Sequence, residues 1–77
     1  MSKYTVYTVA RDVLGRYADQ LEHDAQQSLR AWILLGQTDR YSDQMHLARV
    51  IRNAAACKSI YTRREILRNS GIQIIKL

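Results

Sequence analysis

The sequence contains no proline, only three glycines and a single cysteine. Proline and glycine are the residues least compatible with helix interiors, so their scarcity favours long, uninterrupted helices. The lone cysteine, Cys57, cannot form an intramolecular disulfide, which excludes a small secreted fold held by several disulfides. The longest apolar run covers only residues 31–35. A transmembrane helix needs about 20 apolar residues, so we expect no membrane-spanning segment.

The N-terminus also lacks the apolar stretch of a secretory signal, since residues 1–5 are Met-Ser-Lys-Tyr-Thr. We therefore expect a protein of the reducing cytoplasm with no membrane partner. A chain of 77 residues is long enough for one domain and too short for two, so residues 1–77 are expected to form a single small domain. A domain of this size buries about 60% of its unfolded surface, which predicts a thin core.

Groups of residues typical of catalytic or metal sites are missing. Cys57 falls on the apolar side of its predicted helix, where a thiol is usually inert, so pairing with His23 or His46 is not favoured. Asp19 and His23 lie one helical turn apart, a spacing more typical of a surface pair than of metal ligands. No short window holds two glycines, as a phosphate-binding loop requires. The sequence therefore predicts no enzyme, no metal site and no cofactor.

A long first helix is the strongest structural prediction. Between residues 9 and 35, apolar side chains recur at steps of three and four and form one stripe. Gly36 provides a left-handed stop, whereas Gly15 allows a bend within the helix. Residues 3–9 could start a helix, but their β-branched and aromatic side chains favour an extended segment ending near Thr8, a residue able to cap the helix that follows. The stripe consists of Ala10, Leu14, Tyr17, Ala18, Leu21, Ala25, Leu29, Trp32 and Leu35.

Two shorter helices are expected after a polar connector at residues 37–41. Ser42 is a suitable N-cap for a second helix over residues 43–57. Thr62 and Glu65 fit a capping box for a third helix that stops near Gly71. The last residues, 72–77, have high β-propensity and are expected to pair with the N-terminal segment. The predicted class is mainly α: a small helical domain with one long N-terminal helix, two shorter helices and short terminal β-strands.

Charge is distributed unevenly along the chain. The net charge is +5, but residues 1–39 carry −1 and residues 40–77 carry +6. This asymmetry indicates that the second half meets an anionic partner, although the same residues could simply solvate one side of the domain. Arginine predominates there, and its planar fork suits phosphate and carboxylate groups. The predicted binding residues are Arg49, Arg52, Lys58, Arg63, Arg64 and Arg68.

Two functional hypotheses follow. The first is a small non-catalytic nucleic-acid-associated regulator that contacts DNA or RNA chiefly at phosphates. A helix-turn-helix is not favoured, because the turn at residues 57–61 lacks glycine and the third helix is short. A ribbon-helix-helix would need a turn near residue 22, where the apolar stripe instead continues. No element clearly presents base-reading side chains, so weak sequence specificity is expected.

The alternative hypothesis is a protein-binding module or inhibitor that docks on an acidic surface of a nucleic-acid-processing complex. Small size and the lack of a catalytic set fit this hypothesis, and such proteins are common among phage and mobile-element products. Its interface anchors would be exposed aromatic side chains. If the two later helices cover only part of the apolar stripe, the remainder is an exposed patch, which implies a homodimer or another partner.

Overall fold

A computed structural model of the protein describes residues 4–75 and shows three helices and two short strands. In chain order they are β1 (Thr5–Val6), α1 (Arg11–Leu34), α2 (Thr38–Ala56), α3 (Ile60–Asn69) and β2 (Gln73–Ile74). The described chain is 74% helical, well above the half that the sequence led us to expect. The predicted class, with a long first helix, two shorter helices and short terminal strands, is confirmed.

The first helix, α1, is continuous over its 24 residues, so Gly15 does not interrupt it. The expected cap is wrong: the N-cap is Ala10, which has no side-chain hydrogen bond. Thr8 instead accepts a bond from the Ala10 amide at 3.1 Å, one turn ahead of the helix. Gly36 follows the helix with φ of +69°, the left-handed conformation that only glycine adopts at little cost. The predicted stop is therefore confirmed.

The second helix, α2, begins earlier than the sequence pattern indicated. Its N-cap is Gln37 and Asp39 lies in its first turn, where a carboxylate is favoured by the helix dipole. Ser42 is thus an internal residue, and the prediction that it caps the helix is wrong. The left-handed turn at Gly36 reverses the chain at once, and the Gln37 amide bonds back to the Trp32 carbonyl at 2.7 Å. The connector therefore covers only residues 35–37.

Helices α1 and α2 form an antiparallel hairpin around a small apolar core. The Gln44 side chain of α2 donates to the Leu21 carbonyl of α1 at 2.9 Å, while Arg52, further along α2, reaches back to Asp19. The core lies at the end of the hairpin that holds both described ends of the chain, and the molecule measures 41 × 22 × 19 Å. Its buried cluster consists of Val6, Leu14, Ala18, Leu21, Ala48, Ile51, Ala54, Ala55, Leu67 and Ile72.

The third helix and the sheet close this core. Ser59, not Thr62, is the N-cap of α3, and its hydroxyl accepts a bond from the Thr62 amide. The predicted capping box is therefore one turn too late. After Gly71, at φ of +79°, β2 pairs with β1 in parallel, with Gln73 opposite Thr5. This pairing confirms the expected contact between the two terminal segments.

The opposite end of the hairpin projects beyond the core. We call residues 29–43 the hairpin tip: they include the end of α1, the connector and the start of α2. Three large apolar side chains are exposed there: Ile33 at 56%, Leu34 at 81% and Leu35 at 68%. Leu29 and Trp32 beside them are only half-buried. The later helices thus cover only part of the apolar stripe.

Candidate anion-binding surface

Two of the six predicted binding residues make contacts within the protein. Arg63, in the first turns of α3, is half-buried. Its Nε donates to the Cys57 carbonyl at 2.7 Å and a terminal nitrogen donates to the Val9 carbonyl at 3.1 Å. These bonds use two of the five N–H donors of the guanidinium and hold α3 against the backbone at the end of α2 and just before α1. We assign Arg63 to the scaffold and leave it out of the candidate surface.

Arg52 joins α2 to α1 through two carboxylates. Its guanidinium forms ion pairs with Asp19 and Glu22, which lie one turn apart on α1. The hydrogen bonds that the Arg52 guanidinium donates to Glu22 and, to a smaller extent, to Asp19 raise the pKa of Arg52. Since two negative charges already neighbour this cation, its attraction for an external anion is reduced. The position of Arg52 is therefore less suited to phosphate contact than its place on the exposed face of α2 implied.

The other four predicted residues have no internal partner among residues 4–75. Arg49 lies on the exposed face of α2, and Lys58 lies in the connector before α3. Arg64 and Arg68 stand one turn apart on α3, with Arg64 half-buried and Arg68 exposed. Within the described chain, none of these four side chains forms an ion pair or a hydrogen bond. We call Arg49, Lys58, Arg64 and Arg68 the unpaired basic set.

A shallow crevice runs along the outer face of α3 and includes half of this set. It has a volume of about 250 Å³ and is lined by Tyr61, Thr62, Arg64, Glu65 and Arg68. The spacing of three, four and seven residues places these side chains on one helical face. Tyr61 is 80% exposed, so its ring is available for stacking. The arrangement combines two guanidinium forks with an aromatic face, a chemistry that suits phosphates and unpaired bases.

The remaining reactive groups do not gather into a second site in the part of the chain that the structure describes. Cys57 is half-buried at the end of α2, rather than buried as its place in the apolar pattern indicated, because α2 stops at Ala56. Its thiol faces the Asn53 carbonyl at 3.5 Å. Between residues 4 and 75, no three His, Cys, Asp or Glu side chains come close enough to hold a metal ion.

The sequence pattern led us to consider an exposed remainder of the apolar stripe, but it did not indicate the full apolar end of α1. Ile33 and Leu34 lie outside the predicted stripe, and both are exposed. The run Ala31–Leu35 contained the signal, because five consecutive apolar residues on a helix extend around more than one face. A single partner helix cannot cover them all. The hairpin tip is therefore a second surface, separate from the basic one.

Comparison with protein-family models, curated proteins and solved structures gives no significant match. Among residues 4–75, none of the helices has the length and apolar character required to traverse a bilayer. A helical fold by itself does not specify an activity, so the two surfaces carry the functional information.

Proposed function

We propose that this protein is a small, non-catalytic, nucleic-acid-associated regulator of the cytoplasm that contacts phosphates through the unpaired basic set. The observation that carries the proposal is the lack of internal partners for these four cations. Arg52 and Arg63 demonstrate that the fold can pair arginines with acidic or carbonyl oxygens. Arg64 and Arg68 have no such contacts among the described residues, although Glu65 lies beside them on α3.

The chemistry of the α3 crevice favours a nucleic acid over an acidic protein surface. Guanidinium groups bind phosphate oxygens in a bidentate manner. Tyr61 adds an exposed ring within one turn of Arg64, and stacking on such a ring is available to every base. Phosphate contacts and ring stacking are both independent of the identity of the base. We therefore propose binding with little sequence preference, driven by phosphate contacts and assisted by stacking.

Fluorescence anisotropy with short labelled oligonucleotides tests this function. Single-stranded and duplex probes of DNA and RNA are titrated over a series of salt concentrations. On duplex DNA, log K should fall linearly with log salt, by about 0.9 units per phosphate contact. The double variant Arg64→Ala with Arg68→Ala should have a shallower slope that corresponds to about two fewer phosphate contacts, and it should bind all sequences more weakly by a similar factor. Tyr61→Ala should weaken the binding of single-stranded probes more than the binding of duplex probes.

A matched control separates position from total charge. Arg11 and Arg16 are both exposed on α1, so Arg11→Ala with Arg16→Ala removes the same two charges outside the crevice. This control should lower the affinity less than the α3 double variant does, and the number of phosphate contacts calculated from its slope should stay close to that of the wild type. If the wild-type protein binds no nucleic acid at low salt, or the α3 double variant keeps its affinity and slope, the proposal fails. Docking on an acidic protein surface then becomes the leading hypothesis.

A further inference from the structure

The hairpin tip carries an inference independent of nucleic-acid binding. Its three most exposed apolar side chains, Ile33, Leu34 and Leu35, are adjacent in sequence at the end of the longest helix. Contiguous exposed apolar side chains are characteristic of surfaces that are covered in the working assembly. We propose that the hairpin tip binds the hairpin tip of a second copy of this chain, forming an isologous dimer.

The charges of the tip favour a second copy as its occupant. Residues 29–43 carry two positive charges, Arg30 and Arg40, and two negative charges, Asp39 and Asp43. The tip is therefore neutral, although the whole chain carries +5. All four side chains are exposed. In a two-fold interface residue i of one copy contacts residue j of the other and the reverse, so a surface that carries both signs can pair its arginines with the aspartates of the second copy.

The distribution of the remaining charge also favours this geometry. Because the tip is neutral, the net charge of +5 belongs entirely to the rest of the molecule. The protein is 41 Å long and the tip lies at one end of it. A tip-to-tip dimer places the two basic bodies at opposite ends, separated by far more than the Debye length of about 8 Å at physiological salt. A dimer formed through the bodies would bring two net positive charges close together.

The other occupants fit less well. A nucleic acid or an anionic lipid surface attracts positive charge, which the tip lacks. The chain's own described ends lie at the core: Tyr4 packs edge-on against Tyr17, with ring centroids 6.2 Å apart. From Tyr17 to Leu34 the helix extends about 25 Å at 1.5 Å per residue. Both described ends of the chain therefore lie far from the tip.

Sedimentation of the nuclease-treated chain, without nucleic acid, tests the dimer separately from the proposed function. Over a rising concentration series, the wild type should shift from 9.0 kDa to twice that mass. Leu34→Gln with Leu35→Gln should remain monomeric, and circular dichroism should show an unchanged helix content because glutamine is a good helix former. Ile60→Gln replaces an apolar side chain that is 50% exposed on α3, and this control should dimerise like the wild type.

A charge-swap experiment tests the complementarity directly. One variant carries Asp39→Lys and Asp43→Lys, and a second carries Arg30→Glu and Arg40→Glu. Each alone should dimerise less than the wild type, and the loss should diminish as salt screens the repulsion. An equimolar mixture should recover dimers, and these should be heterodimers, as shown by native mass spectrometry.

Three results would overturn the inference. The first is a wild type that stays monomeric up to its solubility limit. The second is a dimer that survives Leu34→Gln with Leu35→Gln, because the interface would then lie elsewhere. The third is a monomeric wild type that binds phosphatidylcholine vesicles through the same two leucines, since the tip would then be occupied by a lipid surface. If mixing the two charge-swap variants yields no heterodimers, the charge complementarity on which the choice of occupant depends is refuted.

Discussion

Arg63 donates a hydrogen bond to the carbonyl oxygen of Val9, 54 positions earlier in the chain, over 3.1 Å. The same guanidinium donates to the carbonyl of Cys57 at 2.7 Å. A single side chain of α3 thereby satisfies backbone oxygens at the end of α2 and just before α1. In a protein with a thin core, a half-buried cation that joins three segments contributes more to stability than an exposed one.

Arg63→Ala is expected to lower the free energy of unfolding by about 2 kcal/mol, because it removes two charge-assisted bonds from partly buried oxygens. Arg63→Lys should recover less than half of this loss, since an ammonium lacks the planar fork. Arg68→Ala, on the exposed face of the same helix, is the control and should change stability by at most about 0.5 kcal/mol. Urea unfolding followed by circular dichroism provides the measurement. Equal effects of Arg63→Ala and Arg68→Ala would contradict the scaffold role of Arg63.

The N-cap of α3 gives a second prediction. Ser59→Ala should destabilise the protein by about 0.5–1 kcal/mol, because the Thr62 amide loses its side-chain acceptor. The value should lie at the lower end of that range, since the bond is long, at 3.4 Å, and exposed. Thr62→Ala should be neutral or slightly stabilising, because Thr62 is inside the helix and alanine is the better helix former. Thermal unfolding of the two variants distinguishes them, and the reverse order would place the cap at Thr62.

A third prediction concerns alkaline pH. Burial, followed by the neighbouring Tyr17 and Asp24, raises the pKa of Tyr4 above its ordinary value of 10.0. In the folded protein Tyr4 therefore keeps its proton to higher pH than in the unfolded chain. The stability that Tyr4 contributes through this shift is fully present below pH 10. It is lost as the pH rises through the pKa of Tyr4 in the folded protein, because the unfolded state binds fewer protons in that window.

Tyr4→Phe keeps the ring that packs against Tyr17 but has no group to ionise. The variant should therefore lose less stability than the wild type between neutral pH and a pH just above 10. Tyr7→Phe is the control, since Tyr7 is 53% exposed, and it should follow the wild type. Urea unfolding at the two pH values gives the comparison. An identical fall in wild type and Tyr4→Phe would exclude a contribution from Tyr4.

Helix α1 was predictable because two independent signals agree along it. The apolar stripe defines its buried face, and Gly36 marks its end with a conformation that other residues avoid. The start of α2 was not predictable in the same way. Residues 38–40 are polar and exposed, and an exposed first turn has the same composition as a loop. Only the tertiary contact with α1 distinguishes the two.

The candidate site was predictable in composition but not in connectivity. Six of the eight cations in residues 40–77 were predicted to bind an anion, and charge alone does not indicate which of them find partners in the fold. Arg52 meets Asp19 and Glu22 because the hairpin places α1 beside α2. Starting α3 at Ile60 rather than after Thr62 puts Arg63 within reach of Cys57. Both outcomes depend on contacts between residues distant in the chain, which local patterns do not contain.

The parallel pairing of β1 with β2 imposes an order on biosynthesis. Gln73 is made 68 positions after its partner Thr5, so β1 has no strand to pair with until all three helices have been made. The hairpin of α1 and α2 can form as soon as Ala56 has emerged, because its contacts close only a short loop. A nascent chain interrupted before Gly71 would therefore lack β2, and Val6 would have no strand to pair with. Such truncated products should be recognisable to chaperones and proteases by this uncovered segment, whereas a chain that includes β2 pairs it.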